Sequence, residues 1–233
     1  MSIAENIARV TQAMARAAAA AGRAPADVQL LAVSKTFGAE AVIEAAAAGQ
    51  SAFGENYLQE AIDKMQAVRE LRPGLSLAWH FIGPIQSNKT RPIAEHFDWV
   101  HSVDREKIAQ RLSDQRPDGL PPLQVCLQVN VSGEDSKSGV EPGDVLALAQ
   151  AVAGLPRLKL RGLMAIPEPA DTFEAQRAPF RQLRELQVQL AAQGIHTDTL
   201  SMGMSADMAA AIAEGATIVR VGTAIFGKRE YAK

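Results

Sequence analysis

Eight short apolar runs alternate with helix-forming runs along 233 residues, no composition break divides them, and no glycine-rich dinucleotide turn follows the first run. These three observations predict one α/β domain, residues 1–233, folded as a single (β/α)8 TIM barrel with an extra N-terminal helix in residues 1–22. Strands that alternate with helices pair in parallel through right-handed crossovers, and eight repeats favour closure over an open doubly wound sheet. The first strand leads into Ser34-Lys35-Thr36-Phe37-Gly38, which lacks the G-x-G-x-x-G spacing of a nicotinamide enzyme.

The N-terminal segment is alanine-rich but carries Glu5, Arg9 and Arg16, and Ile3, Ile7, Val10 and Met14 recur at helical spacing. It reads as an amphipathic helix packed on the barrel, with neither the basic start nor the unbroken apolar stretch of a secretory signal. The first strand is expected over 28–35, the second over 51–54, the third over 75–82 and the fourth over 99–103, ending at Asp104 as N-cap of a helix over 105–113. Prolines and glycine between 117 and 122 mark a turn into the fifth strand, 123–131. The sixth strand falls over 158–166, the seventh over 199–202 with a helix over 206–213 behind it, and the eighth over 217–226.

Bulk composition narrows the function classes. A formal charge of −2 and a pI near 6.1, without a basic cluster, speak against a nucleic-acid surface or an acidic-membrane partner. The hydrophobic fraction, 47%, is enough for a large core, yet no segment is apolar for long enough to span a bilayer, and a cytoplasmic location is expected. The lone cysteine, Cys126, sits in an apolar run and reads as a buried structural thiol rather than a nucleophile or half of a disulfide.

In a β/α barrel the strand C-termini and following loops form the active face. Lys35 stands at such an end, and on a period of two it shares the interior face of Leu31 and Val33. An amine in an enclosed mouth loses hydration, which favours its free, nucleophilic form. Arg220 lies between Val219 and Val221 in a run too apolar for a solvent-facing strand, so its guanidinium is expected inside and in need of an acceptor. Closure makes the first and last strands neighbours and brings these two cations to one pocket. Ser201-Met-Gly-Met-Ser205 and Gly222-Thr223 supply an anion site after strands seven and eight, with Ser205 expected to cap the next helix. A Schiff-base amine, a phosphate site and an arginine for a ring nitrogen are the parts of a pyridoxal 5′-phosphate (PLP) site.

With these residues go Ala32-Val-Ser-Lys35, Phe53-Gly-Glu-Asn-Tyr57, His80-Phe-Ile-Gly83 with Gln86-Ser-Asn-Lys89, Val129-Asn130 with Ser136-Lys-Ser-Gly139, Gly162-Leu-Met164, Ser201-Met-Gly-Met-Ser-Ala-Asp207 and Val219-Arg-Val-Gly-Thr-Ala-Ile-Phe-Gly227. The ordered set, spread over nearly the full chain, resembles the YggS/PROSC family of PLP homeostasis proteins. The resemblance implies that Lys35 holds PLP as a Schiff base and that Arg220 faces the pyridine nitrogen. It implies also that Ser201, Ser205, Gly222 and Thr223 hold the phosphate and that Asn56, His80 and Met164 line the pocket. No catalytic residue and no metal site are expected.

The fold and the arginine also resemble the barrel domain of alanine racemase, so a PLP-dependent racemase or aldolase is the competing reading, and a cofactor-free Schiff-base aldolase on a phosphorylated sugar a third. Arginine cannot accept the pyridine proton, which leaves the ring a weaker electron sink. The reading adopted is a monomeric, non-catalytic carrier that buffers or delivers PLP and maintains vitamin B6 and amino-acid balance, with apo forms of PLP-dependent enzymes as recipients. Lys137, in a serine-rich loop after strand five, is the candidate for a transient second landing point during transfer.

Overall fold

A computed structural model describes residues 1–132 and 138–228. The strands are β1 (Gln29–Val33), β2 (Ala52–Glu55), β3 (Ala78–Phe81), β4 (Trp99–Val103), β5 (Leu123–Gln128), β6 (Leu158–Met164), β7 (Thr199–Ser201) and β8 (Ile218–Val221). The helices are α1 (Ile3–Ala20), α2 (Ala39–Ala47), α3 (Leu58–Leu71), α4 (Thr90–His96), α5 (Glu106–Gln115), α6 (Val145–Ala153), α7 (Phe173–Ala192), α8 (Met208–Ala213) and α9 (Thr223–Phe226). The strands pair in sequence order, all parallel, and β8 returns to β1 to close the barrel. The TIM barrel and its extra N-terminal helix are therefore present as the alternation implied.

Period-two alternation sorts the side chains. Leu31, Ala52 and Ile218 form a small inner layer joined by Ala78, Ile82 and Trp99. Their strand neighbours Leu30, Ala32, Phe53 and Val219 belong instead to the larger core between sheet and helices. In that register Leu31 lies opposite Arg220, so the guanidinium shares the inward face of the first strand.

Close approach shapes the wall between β6 and β7. Gly162 pairs with Thr199, and a Cβ on Gly162 would stand 1.7 Å from the Thr199 carbonyl oxygen. Only a residue without a side chain permits this contact.

Helix α1 begins with a reciprocal capping box between Ser2 and Glu5, and buries Ile7, Val10, Met14 and Ala18. It rests against α8, α9 and α2, and Asn6 Nδ2 donates to the Ile225 carbonyl at 2.8 Å. Burying its three large apolar side chains contributes about 1.5–3 kcal/mol each as an upper bound.

Several boundaries differ from those read in sequence. The third strand starts at Ala78 because Arg72-Pro73-Gly74 makes a turn, closed by the Leu75 N–H donating to the Arg72 carbonyl at 3.1 Å. Helix α5 starts at Glu106 with Arg105 at the cap, and Asp104 pairs with Arg105 at 2.7 Å instead of capping. The eighth strand stops at Val221: Gly222 leaves the extended region with ψ −75°, and Ile225 and Phe226 donate to its carbonyl to open α9. An apolar tail that reads as strand is thus one helical turn with Ile225 buried. Helix α8 starts at Met208, with Asp207 at the cap position, so Ser205 does not cap it. The Asp207 carboxylate accepts the Met204 N–H at 2.6 Å and holds the preceding turn.

Candidate functional site

The strand ends enclose a cavity of about 320 Å³, within the range of small-molecule sites, lined in part by Lys35, Asn56, Ser205, Arg220, Gly222 and Thr223. Six of the nine site residues proposed from sequence therefore meet in one wall. Phe37, Ile82, Ile166 and Met204 supply its apolar surface. Ile166 and Met204 are also exposed, which places them at the mouth.

His80, Met164 and Ser201 are not among the residues that line the cavity, and all three are buried. Ser201 and His80 instead belong to a chain of hydrogen bonds that ends on Arg220. Arg220 Nη1 donates to Ser201 Oγ at 2.8 Å, and Ser201 Oγ lies 2.7 Å from His101 Nδ1. His101 Nε2 lies 2.8 Å from His80 Nδ1. In each neutral ring one nitrogen donates and the other accepts, so the chain can run from Ser201 to His80 or from His80 to Ser201. His80 then stacks on Trp99, with centroids 5.2 Å apart and planes 6° from parallel. Arg220 Nη2 is fixed by donation to the Ala165 carbonyl at 2.9 Å.

Burial sets the charge of each member. It pushes His80 down to about 3 and His101 well below the ordinary histidine value, the latter helped by His80 and Arg220. Both rings are neutral at physiological pH. Burial also lowers Arg220 to about 10, against the pull of Asp207 and Cys126, which leaves it a cation at neutral pH. Cys126, fully buried on β5, is pushed up to about 12 by the same desolvation and is no thiolate.

The histidine pair makes stability depend on pH. Both folded values lie below the unfolded one near 6.5, so as pH falls below about 6.5 the unfolded chain takes up protons that the native one does not, and stability is lost down toward pH 3. Well inside that window the loss is about 1.4 kcal/mol per pH unit for each histidine. Urea unfolding midpoints should be flat for this pair above pH 7.5 and fall steeply between 6 and 5. A midpoint unchanged down to pH 5 would contradict the neutral, buried pair.

Two features suit a phosphorylated, hydrogen-bonding ligand. The N–H groups of Ser205, Ala206, Thr223 and Ala224 meet no acceptor among the described residues, and Ser205 and Thr223 add hydroxyls beside them. Asn56 Oδ1 is buried without a donor. An orphaned buried acceptor costs about 1–3 kcal/mol unless something supplies a proton to it. Gly83 sets Asn56 in place, because a Cβ there would come 2.4 Å from the Asn56 carbonyl oxygen.

Sequence reasoning missed His101, although it stands two residues from Trp99 on the same inward face of β4. It also missed Lys64, buried on α3 and joined to Glu55 at 2.6 Å and Glu60 at 3.1 Å. Lys137 lies outside the described residues.

Comparison with known proteins shows the family. The family model for the alanine racemase N-terminal domain matches residues 3–230. A pyridoxal phosphate homeostasis protein of Pseudomonas aeruginosa is 66% identical over 99% of this chain and 97% of its own length. One from Vibrio cholerae is 60% identical over 100% and 98%. Among solved structures, PipY of Synechococcus elongatus with PLP bound superposes with a TM-score of 0.84 at 41% identity, covering 97% of this chain and 100% of that one. A closed eight-stranded barrel, a lysine and an arginine on one cavity, and identity over nearly the whole length place the chain in the alanine racemase N-terminal domain family, among the pyridoxal phosphate homeostasis proteins.

Proposed function

We propose that this protein binds PLP and buffers or delivers it, so maintaining vitamin B6 and amino-acid balance, with the cofactor held as a Schiff base on Lys35. The observation that carries the reading is the pairing of β1 with β8, which sets Lys35, Arg220 and the Gly222-Thr223 turn around one cavity. A relative 41% identical to this chain has been solved with PLP in it.

The bound cofactor supplies an aldehyde carbon that can pass from one amine to another. Lys35 would hold that carbon through its Nζ. Release to an incoming amine would leave Lys35 with its free amine. Ser205, Thr223 and the nearby backbone N–H groups would hold the phosphate, while Asn56 Oδ1 would accept a hydrogen bond from the ligand. Arg220 has donors only and stays charged, so it would hydrogen-bond a pyridine nitrogen as an acceptor and would not protonate it. His80 and His101, being neutral, offer that nitrogen no proton through the chain either. A ring kept unprotonated is a poor electron sink, which suits a carrier better than a racemase.

No helix among the described residues is long and apolar enough to cross a membrane. We take the protein to act as a monomer in the reducing cytoplasm, with apo forms of PLP-dependent enzymes as recipients.

The test is to load the protein, remove excess cofactor, and mix it with an apo-enzyme in the presence of a phosphatase that destroys free PLP. Activation that survives the phosphatase is expected. A protein that retains no PLP after dialysis would overturn the reading, and rapid exchange of an amino acid's α-hydrogen in deuterated water would assign catalysis in place of carriage.

A further inference from the structure

The turn that carries Lys35 is held from behind by three charged side chains that do not touch the cavity. Thr36, the next residue, has φ +70°, a left-handed conformation that is costly for a β-branched residue and needs support. Its N–H donates to Glu60 Oε1 at 2.6 Å. The Ser34 carbonyl accepts from Lys64 Nζ at 2.8 Å. These two groups belong to the peptide units immediately before and after the Lys35 Cα. One ion pair, Glu60 with Lys64 at i and i+4 on α3, therefore grips both.

The ammonium of Lys64 is fully used: its three protons have Ser34 O, Glu55 Oε1 at 2.6 Å and Glu60 Oε1 at 3.1 Å. Ser34 Oγ donates to the same Glu55 oxygen at 2.5 Å. Burial raises Glu55, while Lys64 and Ser34 pull it down. A buried pair of this kind adds little stability over an apolar one of equal volume, which leaves its convergence on the flanks of Lys35 to be explained.

We propose that Lys64 and Glu60 are positioning residues that clamp the peptide groups on either side of Lys35 and so fix the direction in which its amine enters the cavity. The clamp rests on the reading that Lys35 is the attachment point. It acts on the approach of the amine to the aldehyde and leaves the phosphate and ring contacts, on other strands, untouched.

Glu60 is about one-third exposed, so its substitution leaves the barrel folded. In apo Glu60→Ala the rate at which Lys35 condenses with PLP should fall by roughly 10-fold or more, since small misplacements of a reacting group have effects of that size. Binding of pyridoxine 5′-phosphate, which has an alcohol where PLP has its aldehyde, should stay within about 2-fold, because it needs no amine. Glu60→Gln keeps an oxygen for the Thr36 N–H and should recover most of the rate. Unchanged condensation in Glu60→Ala, or an equal fall in condensation and in pyridoxine 5′-phosphate binding, would overturn the clamp. Wild-type protein in which borohydride fixes PLP elsewhere than Lys35 would remove the underlying reading first and the clamp with it, and peptide mapping shows this without any variant.

Discussion

Lys35→Ala protein should be colourless after incubation with PLP and dialysis, and borohydride should leave no cofactor on it. The phosphate turn, Asn56 and Arg220 remain, so the substitution removes the covalent link and not the cavity. Affinity should fall by on the order of 100-fold, about 2.7 kcal/mol, and the rise in melting temperature that PLP gives the wild type should shrink accordingly. Pyridoxine 5′-phosphate should bind both proteins alike. Absorption spectroscopy, borohydride reduction followed by peptide mapping, and thermal shift with both ligands check the prediction. A reduced adduct that persists in Lys35→Ala would move the attachment site to another amine.

Gly162→Ala should have the largest effect on the fold. The new methyl would lie 1.7 Å from the Thr199 oxygen, and that oxygen is backbone in a paired strand, with no flexible side chain to give way. Strands β6 and β7 would have to part, exposing ladder hydrogen bonds inside the wall. A loss above about 4 kcal/mol is expected, enough to leave little soluble protein. Gly154→Ala is the matched control: its nearest neighbour would be the Ala151 oxygen at 3.6 Å, an ordinary contact, and φ is −80°. That variant should stay within about 1 kcal/mol of wild type in urea unfolding. Equal stability of the two variants would show that the β6–β7 approach relaxes freely.

Much of this architecture is legible in the residues because the barrel repeats one signal. Each strand alternates between an inner and an outer face, so Leu31, Val33 and Lys35 could be placed on one side before any contact was known. Closure then followed from the count of strands, and with it the meeting of Lys35 and Arg220. Boundaries were harder where composition is neutral between states. Ala-Ile-Phe after Gly222 suits strand or helix equally, and the backbone of Gly222 decides for helix. Ser205 looked like a cap because serine before an alanine run usually is one; the helix starts later, with Asp207 at the cap position and its carboxylate turned back to the Met204 N–H.

The site was legible where it touches the cavity and opaque one layer back. Ser201 was read from its motif and His80 came with the family resemblance, but their partner is His101, whose position only the sheet register reveals. Lys64 lies on a helix amid Ala61, Met65 and Val68, and sequence offers no sign that its ammonium reaches a loop 30 residues away. Long-range polar contacts depend on how elements cross, which local pattern does not encode.

The seam between β1 and β8 has a consequence for biosynthesis. As the polypeptide leaves the ribosome, Lys35 on the β1 side of the seam emerges well before Arg220 and the turn after it on the β8 side. A nascent chain that lacks β8 has Lys35 without Arg220 or the Gly222-Thr223 turn. The two sides of the cavity therefore come together only once β8 has been made and has paired with β1.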